Sequence, residues 1–169
     1  MEFGPRALGN RSILANPRFR ENTDRVNEAV KFREAWRPFA PSVLQEKGHL
    51  YFDDFKPSPY MVLSFWANKQ RAHEIPAVVH VDGSCRVQSV DRNTNPLYYQ
   101  LISHFYSLSS VPMVLNTSFN LKGDPIVCTP KDAVQTFYTS GLDDLVIGEF
   151  VISKDPSSAS GFFPGPGHR

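Results

Sequence analysis

Two spacings of hydrophobic residues follow one another along the chain, one typical of helices and one typical of strands. Apolar residues that recur every three or four positions predict helices, and residues that begin or end helices flank them. Asn95-Pro96 is a capping residue followed by a proline, and Thr129-Pro130 repeats the pattern. Pro38 is expected to end the first helix, which Thr23 caps. The predicted helices cover about 24–36, 96–108 and 130–140, the last closed by Gly141.

Short runs of β-branched and aromatic residues between these helices predict strands. Ala77–Val81 and Arg86–Val90 are expected to pair as a hairpin through the turn Asp82-Gly83-Ser84. Further strands are predicted near Arg11–Leu14, Phe39–Leu44, Tyr60–Phe65, Pro112–Leu115 and Leu145–Ile152. Because helices and strands interleave, the expected fold is an α/β layered sheet with some antiparallel pairs. Residues 155–169 have little to bury, so we expect a disordered tail after a domain of residues 1–154.

The composition is that of one globular domain. The chain has 169 residues, of which 41% are hydrophobic, enough to bury a core without disulfides. Cys85, Cys128 and the five histidines form no pattern with metal-ligand spacing, so no metal site is predicted. No apolar run approaches the length of a membrane span, and the N-terminus lacks the apolar segment of a signal peptide. The expected location is therefore the cytoplasm.

The charges are balanced overall but uneven along the chain. The net charge is +1, whereas residues 1–40 carry eight basic and five acidic residues. A local group of arginines in a nearly neutral chain favours a small anion as ligand over duplex DNA. The alternative is an ordinary solvated basic surface.

Four segments combine residue types that bind anions or planar polar groups. Glycines and arginines in Gly4–Ser12 allow close backbone approach and bidentate binding of a phosphate or carboxylate. Asn116–Asn120 places amides and hydroxyls directly after a buried strand, where α/β sheets bind ligands. The other two segments contribute cations, at Lys31, Arg33 and Arg37 and at His80–Arg86. Each segment also has a purely structural interpretation. Gly4–Ser12 would be a surface turn, and Asn116–Asn120 would be a capped turn. The cations at Lys31, Arg33 and Arg37 would lie at a helix end, and His80–Arg86 would be an exposed hairpin.

Six blocks in a fixed order resemble a known family. They are Met1–Ser12, Val26–Pro41, Ser58–Met61, His80–Gly83, Val114–Asn120 and Ser140–Asp143. In this order they resemble the C-terminal domain of the O-carbamoyltransferases, which modify nodulation factors and aminoglycoside or cephalosporin-type antibiotics. The resemblance covers about residues 1–154.

The resemblance implies a two-domain enzyme of which this chain is the second domain. The implied fold is a twisted, open, mixed sheet with flanking helices, similar to the YrdC-like threonylcarbamoyl-adenylate synthases. This domain is expected to join carbamoyl phosphate and ATP into carbamoyl adenylate, with Mg²⁺ accompanying the ATP. An N-terminal actin-like domain, which holds the family's metal, is expected to move the carbamoyl group to a hydroxyl. That domain is the expected partner, in cis or in trans, and neither a membrane nor a nucleic acid is expected.

The resemblance also assigns roles to individual residues. Catalytic roles fall to Lys31, Arg37 and Ser118. The residues expected to bind substrate are Arg6, Met61, Arg86, Asn116 and Thr117. Arg11 and Arg33 stay open between binding and structural roles.

This sequence departs from the family in where it begins. Its first motif follows a long N-terminal domain in the family, so transfer to a hydroxyl is not expected from this chain alone. One alternative is a non-catalytic phosphate-binding or assembly module that acts with a separate partner chain. A second is RNA binding, which has only fold analogy in its favour and lacks a basic, aromatic stripe.

Overall fold

The computed structural model describes residues 7–32, 34, 37 and 39–155. Arg6, Arg33 and the predicted tail beyond Asp155 lie outside these residues. The strands are β1 (Ser12–Ala15), β2 (Ala40–Leu44), β3 (Ser64–Trp66), β4 (Ser84–Arg86), β5 (Gln88–Val90), β6 (Met113–Ser118), β7 (Asp144–Ile147) and β8 (Phe150–Ser153). The α-helices are α1 (Glu21–Val26), α2 (Pro96–Ser109) and α3 (Pro130–Tyr138). A π-helical turn, Asn27–Lys31, extends α1, and 3₁₀ turns cover Gln45–Leu50 and Ala72–Glu74.

A four-stranded mixed sheet organises the domain. Its strand order is β1-β6-β2-β5, with β6 antiparallel to both neighbours and β2 parallel to β5. Strands β3 and β4 form a separate antiparallel ribbon, and β7 and β8 form a hairpin. The predicted α/β architecture with a mixed sheet and flanking helices is confirmed at this level.

The two faces of the sheet pack against different layers. Because side chains alternate along a strand, Val114 lies on one face of β6 while Met113 and Leu115 lie on the other. Val114 belongs to a smaller cluster with Leu44 and Val90, which α2 covers through residues such as Ile102. Met113 and Leu115 belong to the larger core, to which the helical segments of residues 21–31 and 130–138 also contribute.

The helices with local capping signals begin where the sequence predicts them, although α3 ends at Tyr138 and is not closed by Gly141. Asn95 caps α2 by accepting a hydrogen bond from the backbone N–H of Tyr98. Thr129 and Asp132 form a reciprocal capping box at the start of α3. These caps need only residues within one helical turn, so the sequence is enough to place them.

The predicted helix over 24–36 is wrong at both ends. Helical structure begins at Glu21 and ends at Lys31, since Phe32 has a φ of 45° in the left-handed region. Thr23 is not a cap, because its hydroxyl donates to the carbonyl of Ala77 instead. Pro38, the residue predicted to end the helix, lies outside the described residues.

Ala77–Val81 does not form the predicted strand. Backbone hydrogen bonds from Val78 to Ile75 and from Gly83 to His80 close turns in this segment. Ala77 and Val78 are buried in the core without pairing as a strand, whereas Val81 is exposed. Strand β4 pairs instead with β3, and β5 pairs with β2.

Two other predicted strands change their extent. The strand predicted for Tyr60–Phe65 is reduced to β3, because the buried Met61 adopts a positive φ of 55° just before it. The strand predicted for Leu145–Ile152 is interrupted by Gly148, whose φ of 58° turns it into the hairpin of β7 and β8.

Gly9 offers a direct test of how the loop before β1 packs on α2. A Cβ atom at Gly9 would lie 2.5 Å from the ring of Tyr98, and Gly9 also has a φ of 102°. Gly123 has a similar φ of 88° but nothing within 4 Å of such an atom, so it is a matched control. We expect Gly123→Ala to cost about 1–2 kcal/mol for the left-handed backbone alone. Gly9→Ala should cost about 1–3 kcal/mol more from overpacking.

Urea denaturation of both variants beside the unaltered chain measures this difference. Equal losses of unfolding free energy in the two variants would contradict the close packing of Gly9 against Tyr98.

Candidate functional site

The described parts of the predicted binding segments lie at or near one edge of the main sheet. Ser118, the last residue of β6, pairs with Ser12, the first residue of β1. Asn116 pairs with Ala40, the first residue of β2. Gln88, the first residue of β5, pairs with Ser42. The carboxyl end of β6 therefore lies beside the beginnings of β1, β2 and β5, together with the segments that lead into them.

Lys31 is the centre of this edge. Its side chain is 2% exposed, and its Nζ donates to four oxygen atoms. The acceptors are the carbonyl and hydroxyl of Ser118, at 2.5 and 3.2 Å, and the carbonyl and Oδ1 of Asn120, at 3.0 and 2.7 Å. The Ser118 hydroxyl in turn donates to Asn120 Oδ1 at 2.6 Å. The loop after β6 is thus held to the end of the helix through one ammonium group.

A local irregularity of the helix accompanies this position of Lys31. The backbone N–H of Phe32 bonds to the carbonyl of Asn27, five residues earlier, at 2.6 Å. Such a π-helical turn is wider than an α-helical turn, and π turns occur frequently at functional sites. Lys31 is the last residue of the turn, and the left-handed Phe32 then leads the chain toward Arg37.

A pocket of about 260 Å³ opens beside Lys31. Its described lining residues are Lys31, Phe32, Glu34, Arg37, Asn120, Leu121, Lys122 and Gly123. Three of these side chains are cationic and one is a carboxylate. Arg37 Nε lies 3.0 Å from Glu34 Oε2, in an ion pair whose side chains are both more than half exposed. The excess of cations suits the pocket to a small anion.

Asn116 lies in a buried polar network rather than in this pocket. Its side-chain Nδ2 donates to Ser42 Oγ at 2.8 Å and to Gln88 Oε1 at 3.0 Å. Ser42 Oγ also donates to Gln88 Oε1 at 2.6 Å. Gln88 Nε2 completes the network by donating to the carbonyl of Leu8 at 3.2 Å. The network therefore joins β2, β5 and β6 to the loop before β1.

Arg86 approaches the same edge from the ribbon of β3 and β4. It lies opposite Ser64 and two residues before Gln88, but it is not among the described residues that line the pocket. Its guanidinium is close enough to His80 to act on the pKa of that imidazole. Burial lowers the pKa of His80, Asp82 opposes this effect, and Arg86 lowers the pKa further.

The turn before β4 is fixed by Ser84. Its hydroxyl donates to Asp82 Oδ1 at 2.8 Å and lies 3.0 Å from His80 Nδ1. The backbone N–H of Ser84 donates to the same carboxylate oxygen at 2.9 Å. These hydrogen bonds from Ser84 are the main reason that the pKa of Asp82 is lowered.

The remaining predicted site residues differ in how they relate to the pocket. Thr117 is half-buried opposite Ile13 of β1, between the network and Ser118. Met61 is buried in the segment Ser58–Leu63, which is tied to β5 by a hydrogen bond from Ser58 N to Ser89 Oγ. Arg11 makes a structural contact, since its Nη1 donates to the carbonyl of Val127 at 3.0 Å.

Asn120, Gln88 and Ser42 are not predicted as site residues from the sequence. Asn120 lies within the singled-out segment Asn116–Asn120, but only the folded loop shows that it shares Lys31 with Ser118. Ser42 is the one polar residue of β2, and Gln88 begins β5, in which all three residues are buried. That is the signal by which they could have been found, since a buried polar side chain needs a partner.

Among the described residues, no three His, Cys, Asp or Glu side chains lie close enough to hold a metal ion. In the same residues, no helix has the length and hydrophobicity needed to cross a membrane.

Comparison with known proteins places these residues in a family context. Residues 1–154 match the family model described as the carbamoyltransferase C-terminus. The chain is 48% identical over 160 residues to nodulation protein NolO of Bradyrhizobium diazoefficiens, covering 93% of this chain and 29% of that protein. It is 38% identical over 149 residues to the 3'-hydroxymethylcephem-O-carbamoyltransferase of Amycolatopsis lactamdurans, covering 88% and 28%. The chain thus spans less than a third of the length of these relatives.

His80 predicts a pH dependence of stability. Because its pKa is lower in the folded chain than its ordinary value of 6.5, the unfolded chain binds this proton more readily. The stabilisation is complete above pH 6.5 and is lost as the pH falls from there through the folded-state pKa. His80→Gln should remove this part of the slope. Urea denaturation between pH 7.5 and about 5 measures it, above the range in which carboxylates titrate.

His104→Gln, on the exposed part of α2, is the control for loss of a histidine. If the slopes of His80→Gln and the unaltered chain coincide over this range, the folded-state pKa of His80 is not lowered.

Proposed function

This chain belongs to the family of carbamoyltransferase C-terminal domains, as its motifs predict, and we propose that it binds carbamoyl phosphate and ATP to form carbamoyl adenylate. The family membership rests on a match over residues 1–154 and on relatives of up to 48% identity. The substrates and the intermediate are our proposal. The observation that carries it is the cationic pocket around Lys31 and Arg37.

The pocket offers two kinds of cation to a phosphate group. Lys31 is a compact charge held in place by four oxygen dipoles. Arg37 is a planar donor whose partner Glu34 is exposed and can be displaced. Lysine acts on phosphate as a point charge and arginine as a bidentate fork, so the two complement each other.

The proposed reaction releases both inorganic phosphate and pyrophosphate. Water cleaves carbamoyl phosphate to carbamate and phosphate, and the carbamate oxygen then bonds to the α-phosphorus of ATP as pyrophosphate leaves. Each step places negative charge on a departing phosphate, and cations fixed in advance stabilise that charge. In this scheme Lys31 and Arg37 neutralise the leaving group, and Arg86 binds a further phosphate from the β4 side.

The loop after β6 is proposed to hold the carbamoyl end of the substrate. Ser118 contributes a hydroxyl that Lys31 and Asn120 orient. The Nδ2 of Asn116 already donates to Ser42 and Gln88, so in this scheme Asn116 positions the loop from beneath. Met61 and Thr117 retain the pocket-lining and binding roles that the family resemblance implies, and Arg6, outside the described residues, retains its role in binding phosphate.

Mg²⁺ enters this proposal as part of the nucleotide substrate. Glu34 is the one carboxylate among the described pocket residues, so these residues do not themselves form a carboxylate cage for the ion. Magnesium is commonly held through substrate phosphates, where it neutralises charge on the nucleotide.

Transfer to a hydroxyl is proposed for a separate N-terminal domain, in cis or in trans. The longer relatives have room for it, since this chain accounts for less than a third of their length. The similarity to YrdC-like synthases likewise stays part of the proposal.

The same partial coverage favours one alternative function. The chain can be a non-catalytic phosphate-binding or assembly module that keeps the pocket and serves a separate partner chain. Release of pyrophosphate by the purified chain, dependent on carbamoyl phosphate, would support the catalytic proposal. Binding without release would support the alternative.

Arg37→Gln is the sharpest test of the pocket. The side chain is half exposed, so its loss should not disturb the core, whereas Lys31 is buried and its truncation endangers the fold. Losing a charge-assisted hydrogen bond to phosphate should weaken carbamoyl phosphate binding by about ten- to one-hundred-fold. Isothermal titration calorimetry measures the affinity.

Arg25→Gln is the matched control, because Arg25 is also an exposed arginine paired with a carboxylate, that of Asp143. Its affinity for carbamoyl phosphate should equal that of the unaltered chain. The site assignment is wrong if the two variants bind alike.

A further inference from the structure

The ribbon of β3 and β4 has one buried face and one outward face. Phe65 and Cys85 are paired across the ribbon and both are buried in the core. Because side chains alternate along strands, the paired residues on either side of them project from the opposite face. These are Ser64 with Arg86 and Trp66 with Ser84. The face that carries Arg86 therefore also carries Trp66.

Trp66 presents a large aromatic surface on this face. Its side chain is 59% exposed, and the absence of a side chain at Gly83 leaves the indole uncovered on that side. Val62 and Val81, in the segments that flank the ribbon, are 78% and 85% exposed. Tyr60, in the segment before β3, is exposed as well.

The ribbon also holds this surface in a fixed shape. The hydrogen bonds from Ser84 to Asp82 fix the turn directly opposite Trp66. The backbone N–H of Ala67 donates to the carbonyl of Gly83 at 2.9 Å, and that of Asp53 donates to the carbonyl of Trp66. A platform fixed in advance loses little entropy when a planar ligand stacks on it.

Trp66 and Arg86 are diagonal neighbours on this face. Such positions in an antiparallel pair are about 7–8 Å apart, within reach of long side chains. One end of a ligand that bridges them meets an aromatic ring, and the other end meets a guanidinium. A nucleotide has this combination, with a base that stacks and phosphates that bind arginine.

We propose that Trp66 is the platform on which the base of ATP stacks, with Arg86 on the nucleotide's phosphates. This inference rests on the proposed ATP function and names the residue that recognises the base. Arg86 leads through Val87 to Gln88, whose Oε1 accepts from Asn116 at the edge where Lys31 lies. A nucleotide held in this way extends its phosphates from the ribbon toward the edge occupied by carbamoyl phosphate.

The test compares ATP with inorganic tripolyphosphate, which has the phosphates and no base. Binding of both to the unaltered chain, Trp66→Ala and Trp66→Phe is measured by calorimetry. Loss of stacking in Trp66→Ala should weaken ATP binding by about five- to one-hundred-fold and leave tripolyphosphate binding unchanged. Trp66→Phe retains a ring and should keep most of the affinity for ATP.

Phe150→Ala is the matched control, since Phe150 is another exposed aromatic residue, on the β7–β8 hairpin. It should bind ATP like the unaltered chain, and circular dichroism verifies that each variant is folded.

The outcomes separate this inference from the proposed function. ATP binding of equal strength in Trp66→Ala and the unaltered chain would overturn the assignment of Trp66 alone. An equal loss for ATP and tripolyphosphate would also overturn it, because the effect would then not concern the base. If the unaltered chain binds carbamoyl phosphate but no ATP, the nucleotide part of the proposed function is wrong and the assignment of Trp66 is wrong with it.

Discussion

The ammonium group of Lys31 is the contact on which the arrangement of the site depends. It joins the end of the first helical segment to the loop after β6 through four oxygens of Ser118 and Asn120. A buried ammonium needs several acceptors, because desolvation of an unsatisfied charge is costly. The same requirement therefore fixes the loop and the place where the chain leaves the helix. The pocket lies between these two segments, so its shape follows from that one charge.

A second set of polar contacts lies within the sheet, next to the contacts of Lys31. Ser42, Gln88 and Asn116 come from three neighbouring strands, and their hydrogen bonds are buried at the sheet edge where the pocket opens. Such a network specifies register more strictly than apolar packing does, because slippage of one strand would leave several buried polar groups unsatisfied. Asn116 lies two residues before Ser118, whose oxygens accept hydrogen bonds from Lys31. The network that fixes Asn116 therefore also fixes the strand end from which this loop begins.

The sequence predicts those elements whose causes are local. The caps of α2 and α3 each involve residues within one turn, and both helices begin where Asn95 and Thr129 indicate. The run Ala77–Val81 has the composition of a strand, yet its backbone pairs within turns, which bury Ala77 and Val78 and leave Val81 exposed. The end of the first helix depends on Lys31 reaching a loop 87 residues away, which no periodicity reveals. The family resemblance supplies Lys31, Arg37 and Ser118 as site residues, but the shared role of Asn120 emerges only from the folded loop.

Lys31 and Arg37 line one pocket but are held with very different strength. Lys31 is fixed by burial and four hydrogen bonds, so its charge stays in place whether or not a ligand is present. Arg37 pairs with Glu34 at the surface, and an exposed ion pair contributes only about 0–1 kcal/mol. In the proposed function, an anion in the pocket competes with Glu34 for Arg37, whereas Lys31 keeps its partners in the loop after β6. In this scheme, the fixed cation defines where the anion binds, and the exposed pair provides the guanidinium that contacts it.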